Sequence, residues 1–314
     1  MARFIVRRLG FLLLTFLLTS IVIFLVTQFL PGDVARIILG REAGEAAVQA
    51  LRQKLGLNDP LPVQYFHWLG NFVVGNWGDS YSTRQAIFPL VMSRTRNSLM
   101  LAGLTLLISV PLAVFLGVIA GLNENKWPDH AISVTSLSVV GLPEFVTGLV
   151  LIQLFSFTFR IFPANSSIRP SASFGEALPM LILPALTATL VLLAYMARLT
   201  RAGVVEELKK MYVRTAILKG MPRNTVIFKH VLRNALMPTI TIIAISFGWL
   251  ISGLIVIENV FNYPGLGRLL VFAIDRRDLP LLQAVTMITV LGFTIANLVA
   301  DLLYAYLNPR IRLD

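Results

Sequence analysis

The sequence predicts an all-α integral membrane protein of about six transmembrane helices, and three observations carry that prediction. Mean hydropathy is +0.76, hydrophobic residues fill 56% of the 314 positions, and charged residues only 14%. Apolar runs recur near 9–30, 99–122, 132–159, 178–199, 235–257 and 284–307, each close to the ~20 residues a helix needs to cross the hydrocarbon layer. The cations that produce a net charge of +11 sit in the segments between those runs, a pattern that serves topology and lipid headgroups rather than nucleic-acid phosphates. Cysteine is absent, which excludes disulfides, thiolate metal ligands and a cysteine nucleophile and leaves the redox compartment open.

Taken in order, the start MARFIVRRLG is basic like a secretory leader, but the apolar run that follows is too long for one and no small-x-small cleavage site closes it. The sequence therefore predicts an uncleaved first helix over 1–30. Residues 31–98 hold the turn signals PGD, NDPLP and GNWGD around GEAAVQALRQKLG, in which Ala47, Leu51 and Leu55 share one helical face. This is an extracytoplasmic loop with short helices. A five-helix core follows over 99–307, containing a basic loop over 201–234, and 308–314 form a tail. An even number of spans puts both termini on one side, and Arg3, Arg7, Arg8, Arg310 and Arg312 place that side in the cytoplasm. The loop with Lys126 and the one with Arg201, Lys209, Lys210 and Lys229 agree; the opposite side carries cations too, at lower density and mixed with more acids.

The basic island EELKKMYVRTAILKGMPRNTVIFKHVLRNALMP, over 206–238, is the most informative stretch. Leu208, Met211, Tyr212, Thr215 and Ala216 follow helical spacing, with Glu206, Glu207, Lys209, Lys210 and Arg214 opposite. Gly220 stops that helix and Pro222 prevents its continuation, after which Phe228, Val231, Leu232 and Ala235 form a second stripe. Two helices thus meet at a corner around 219–223. Pattern alone fits two readings: a projecting corner that docks into a partner, or a solvated linker that obeys the positive-inside rule.

The island resembles the cytoplasmic signature loop of ABC importer permeases in the form typical of peptide and nickel transporters. The matching pieces are YVRTA at 212–216, Lys219-Gly220, and RNAL at 233–236 with Pro238. The general family has Glu where Arg214 stands and Ala where Thr215 stands, a departure usual in the peptide branch. PGD at 31–33, LGLNDPLPVQY at 55–65, GNWGDS at 75–80, GLPEF at 141–145, ENVFNYPGLG at 258–267, RDLP at 277–280 and the NPRIR tail are similar to family stretches in the same order. The long first outer loop is similar to that of the first of the two permeases such transporters pair. The resemblance implies a type I ABC importer permease fold in a bacterial or archaeal cytoplasmic membrane. It also implies a second homologous permease, two cytoplasmic ATPases or one fused, and an extracytoplasmic solute-binding protein. Tyr212, Arg214, Thr215, Ala216, Lys219, Gly220, Met221, Pro222 and Arg223 would form the coupling helix and its turn. Small peptides, nickel chelates, glutathione and some sugars all use such permeases.

No Gly-x4-Gly-Lys-Ser/Thr motif is present, so energy must come from elsewhere; the resemblance implies ATP and Mg bound by partner subunits and no cofactor in this chain. No metal spacing joins His67, His130 and His230, and no nucleophile motif supports catalysis. Glu144 follows Pro143 inside an apolar run and either caps or packs against a neighbour, or lines the substrate path; Asn97 and Trp249 are further path candidates. Asp301, about two turns before the inner end of the last span, is expected to pair with Arg198. Gly117 and Gly121, and Gly248 with Ser252, are small-residue pairs for close helix packing. The competing class is a secondary transporter or channel driven by an ion gradient, for which Glu144 is the one deep carboxylate.

Overall fold

The computed structural model describes residues 2–29, 34–39, 43–54, 56–169 and 172–307. The PGD turn at 31–33, the tail at 308–314 and the side chains of Leu51, Leu55 and Ser252 lie outside the described residues. Among those described there is no β-strand; the regular elements are all helices, with one isolated bridge between Asp79 and Ala86.

Helix α1 (Ala2–Phe29) is followed by three short outer helices, α2 (Val34–Leu39), α3 (Glu45–Lys54) and α4 (Leu61–Val73). Helix α3 buries Val48 while Ala47 is exposed, a correction to the expected face that puts the larger apolar side chain inside. Helix α4 packs on α1 through an aromatic cluster: Phe24 meets Tyr65 edge-on with centroids 5.5 Å apart, and Phe72 stacks on Trp77 at 5.0 Å. The Ser20 hydroxyl lies 2.8 Å from that of Tyr65.

Helix α5 (Ile87–Leu122) begins well before the apolar run that announced it. Hydropathy missed its first turns because Arg94, Arg96, Asn97 and Ser98 are polar, yet nothing in those residues opposes helix. The expected third span is a bent pair, α6 (Trp127–Val140) and α7 (Glu144–Ile152), the latter extended by a π-helical turn over Gln153–Thr158; the two meet at 102°. Gly141 and Pro143 explain the break, since proline removes a donor and favours extended backbone at the residue before it. Helix α8 (Phe174–Leu208) starts with a capping box, Ser173 and Glu176 each satisfying the other's backbone N–H.

Beyond it come α9 (Met211–Leu218), α10 (Arg223–Thr225), a π-helical turn (Val226–Val231), α11 (Leu232–Ala235) and α12 (Met237–Gly253). Helices α13 (Ile255–Val260), α14 (Leu266–Asp275) and α15 (Leu279–Leu307) complete the chain. Among the described residues four helices are long and apolar enough to cross a membrane, or up to six spans when each bent pair counts as one.

Helices α5 and α8 form the centre and run in the same direction, with Thr105 beside Thr189, Gly117 beside Thr200 and Gly121 beside Val204. A Cβ on Gly117 would lie 2.5 Å from Thr200 Cβ, and one on Gly121 2.6 Å from Val204 Cβ. The two backbones can approach that closely only because these positions carry no side chain. On its other side α8 brings Gly203 against α11, where a Cβ would lie 2.4 Å from the Ala235 carbonyl oxygen. Gly248 of α12 faces Phe293 and Asn297 of α15.

At one end of this bundle a buried polar lock joins α5 to the segment before α14. Glu258 is 1% exposed; it accepts from the Ser98 hydroxyl at 2.6 Å and from the Arg268 N–H at 3.0 Å. Asn97 donates to the Pro264 carbonyl at 2.8 Å, and its own carbonyl accepts from the Tyr263 hydroxyl at 2.6 Å. Gly265 is required here, because a Cβ would sit 2.0 Å from a Glu258 oxygen. Asp278, fully buried, caps α15 and accepts from the Ser80 hydroxyl at 2.6 Å.

Burial raises the Glu258 carboxyl from 4.5 to about 7, against the pull of the Ser98 hydroxyl, the Arg268 and Gly267 N–H groups and the Arg94 charge. A carboxyl whose pKa is higher folded than unfolded binds more protons in the folded state across the window between the two values. Stability is therefore expected to fall as pH rises from 4.5 to about 7 and to level off above it. Thermal midpoints of the purified protein across that range check this, and Glu258→Gln should flatten the slope.

Helix α5 starts at this polar end, as does α15, so both finish at the opposite one. Arg8, near the start of α1, pairs with Asp301, near the end of α15, at 2.7 Å. The start of α1, the end of α15 and the 209–222 corner thus share one end of the bundle.

Candidate functional site

The corner is built by two local devices. Helix α8 ends at Leu208 and α9 restarts at Met211, with Lys210 in extended conformation between them. This corrects the single first helix expected across 206–216. The break changes which side faces inward: Val213 is 4% exposed, whereas Met211 is 73% exposed and Thr215 turns outward. Its cause is Glu207, which sequence reading had assigned to the solvent face. Glu207 is 8% exposed and accepts from the Tyr212 hydroxyl at 2.7 Å and from the Lys210 ammonium. A hydrogen bond to a charged acceptor contributes about 1.5–3 kcal/mol, enough to fold α9 back onto the end of α8. Burial and the neighbouring carboxylate raise the Tyr212 hydroxyl's pKa, and the Glu207 carboxylate raises that of Lys210.

The second device is the C-terminal stop. Gly220 has φ +79. Its N–H donates to the Ile217 carbonyl at 2.9 Å while that of Met221 donates to the Ala216 carbonyl at 3.2 Å, the two bonds of a Schellman motif. Pro222, at φ −57 and ψ 134, then starts α10. Met221 and Ala216 pack with the buried Val204, Val213, Val226, Val231 and Ala235, so the corner has a small core of its own. The second stripe also shifts: Phe228 is 70% exposed while Val226 and Val231 are buried, because the π-helical turn delays rotation by one residue per turn.

Outside that core the corner exposes Leu218 and Ile217 between Arg214, Lys219 and Arg223. Large apolar side chains beside cations on a projecting turn form a surface made to be covered.

The remaining candidates divide. Asn97 is 4% exposed and its amide is committed to Pro264, so it locks the polar end rather than lining a path. Trp249 packs against the central core. Glu144 is half-buried in the first turn of α7, and its carboxylate has no hydrogen bond or ion pair among the described residues; Pro143 is the cap there, without a side-chain bond. The expected Arg198–Asp301 pair is absent. Asp301 pairs with Arg8 because α1 packs along α15, while the Arg198 guanidinium lies over the Tyr195 ring. Two pairs at this end that sequence reading missed join Asp129 of α6 to Arg201 of α8 through both carboxylate oxygens and Glu124, just after α5, to Lys209 at 2.8 Å.

A bundle of membrane-length helices with a rigid, exposed corner at one end defines an integral-membrane transport subunit. The chain belongs to the binding-protein-dependent transport system inner membrane components: that family's model matches residues 113–313, and its N-terminal companion matches residues 1–102. It is 38% identical over 312 residues to the glutathione transport system permease protein GsiC of Escherichia coli K12, covering 99% of both chains. The GsiC of Shigella dysenteriae serotype 1 matches to the same degree. Among solved structures, an amino acid ABC transporter crystallised with histidines shares the fold, with a TM-score of 0.55 over 69% of this chain and 94% of that one at 17% identity. The protein is thus an ABC importer permease of the peptide/nickel branch with the type I fold, an inner-membrane transport component rather than an enzyme. Its family implies ATPase and binding-protein partners.

Proposed function

We propose that this permease forms half of the path by which small peptides of glutathione's size enter the cell. A second permease completes the path, two ATPases that bind ATP and Mg drive it, and an extracytoplasmic binding protein delivers the peptide. The observation that carries the reading is the corner: α9, the Gly220 turn and Pro222 stand beyond the bundle with Leu218 79% exposed, fixed to two membrane helices at once. Glu207 ties α9 to α8, and Val213 with Ala216 ties it to α11. A push on α9 therefore moves α8 and α12 together. The cytoplasm is the side of this end, supported by the density of cations there.

The chain divides, in this reading, into helix 1–30, an outer loop 31–98 and a core 99–307 whose coupling loop spans 201–234, with 308–314 a cytoplasmic tail. The outer loop faces the binding protein and, with the ends of α1 and α15, encloses a cavity of about 710 Å³. Glu144, unpaired at the sharp bend before α7, is stable in the membrane where it meets a wet path. The peptide substrate is supported by the glutathione relatives. Uptake into proteoliposomes holding the purified transporter tests the whole: ATP inside with binding protein and glutathione outside should drive accumulation. Uptake that follows an ion gradient without any ATPase would overturn it.

A further inference from the structure

At the corner's end of the bundle, between α5, α6 and α8, lies a cavity of about 290 Å³ whose walls are mainly apolar and whose mouth is cationic. Arg198, Arg201, His130 and Ser136 face it, with Leu137 and Ile132 along the wall. Its one carboxylate is spent. Asp129 accepts from Arg201 through both oxygens, from the Asn125 N–H at 2.9 Å and from the Ser133 hydroxyl at 3.2 Å. Asp129 and Arg201 cancel, which leaves Arg198 as excess charge: it makes no ion pair among the described residues and rests 5.7 Å from the Tyr195 ring centroid.

The surface running away from that mouth is apolar. Val134 is 61% and Leu137 56% exposed along α6, and Trp127, at the helix start, is 80% exposed. Tryptophan at a helix end is the usual anchor at the level of lipid headgroups. A cationic pocket at headgroup depth, continued by an apolar strip toward the bilayer centre, matches one ligand chemistry in both charge and shape.

We propose that this pocket binds an anionic phospholipid, its phosphate held by Arg198 and His130 and its acyl chains lying along Ile132, Val134 and Leu137. The site uses the inward sidedness of this end and is independent of what the transporter carries. Bound there, the lipid bridges α6 to α8 next to the Asp129–Arg201 pair, so it stabilises the bent α6–α7 element against the helix that leads into α9.

The test uses the assembled transporter in detergent, stripped of lipid and then given phosphatidylglycerol, phosphatidylcholine or inorganic phosphate. Retained lipid is read by native mass spectrometry and the thermal midpoint by a melting scan. Phosphatidylglycerol should be retained and raise the midpoint; Arg198→Gln should weaken its retention about fivefold, and Arg198→Lys should restore most of it. Equal retention by wild type and Arg198→Gln, or of phosphatidylcholine and phosphatidylglycerol, overturns the site. So does a midpoint shift reproduced by inorganic phosphate alone, which would assign a free anion, or no retention by wild type, which would assign this face to the second permease.

Discussion

Gly220→Asp is expected to abolish transport while leaving insertion and abundance near those of the unaltered protein. The backbone there is left-handed, at φ +79, and a Cβ would meet nothing within 4 Å. Strain is then the only folding cost, about 1–2 kcal/mol and least for Asp and Asn, which tolerate this conformation best. The effect on coupling is of another order. Gly220 sits at the tip of the exposed corner beside Leu218 and Lys219; in the coupling role proposed for that corner, a carboxylate there would enter the surface the ATPase presents and be desolvated or repelled, at several kcal/mol. Gly220→Asn separates the causes, because it carries the same strain without the charge and should keep most of the activity. Peptide-stimulated ATP hydrolysis and uptake are the measurements. Undiminished coupling in the Asp variant would remove α9 from the coupling path.

What could be read in advance was whatever the sequence encodes locally. Gly220 and Pro222 each restrict the backbone by their own covalent structure, so the corner could be placed to within a residue or two. Long apolar runs likewise announce spans, since the bilayer demands length and hydropathy and little else. Azimuth around a helix is not encoded that way. Asp301 has cations available on two neighbours, and only packing decides that α1, with Arg8, lies closer than the Arg198 face of α8. Glu207 was misplaced for the same reason: a carboxylate in a basic loop looks solvated until Tyr212, five residues on, is seen to fold back on it. The 102° bend after Val140 did have a signal, Gly141 and Pro143, but it sat inside a run whose total length suited one straight span. The Glu258 lock had none beyond an apolar neighbourhood, because its partners at Ser98 and Asn97 lie some 160 residues away in sequence.

Replacing Gly117 should cost the protein its fold rather than its function. Two substitutions on the same helix make the argument clean. Gly103 and Gly117 both lie inside α5, so changing either to Ala gains about 1 kcal/mol of helix propensity. At Gly103 the new Cβ meets nothing within 4 Å, and the variant should melt at or above the unaltered protein. At Gly117 the same methyl arrives 2.5 Å from Thr200 Cβ and 2.6 Å from the Ala197 carbonyl oxygen. Neither neighbour can yield. The carbonyl is backbone, and Thr200, fully buried, is held by the Met196 carbonyl at 2.8 Å and the Thr239 hydroxyl at 2.9 Å. Helix α8 cannot retreat either, because its far side is already in contact at Gly203 with Ala235. Separating α5 from α8 would therefore displace the central pair and the corner that hangs from it, at roughly 1–3 kcal/mol for Ala and more for Leu. Against a total of about 5–15 kcal/mol for a folded protein, Gly117→Ala should lower the melting midpoint and Gly117→Leu should leave little folded protein in the membrane. If Gly117→Leu and Gly103→Leu accumulate equally and melt together, α5 and α8 do not cross where the structure puts them.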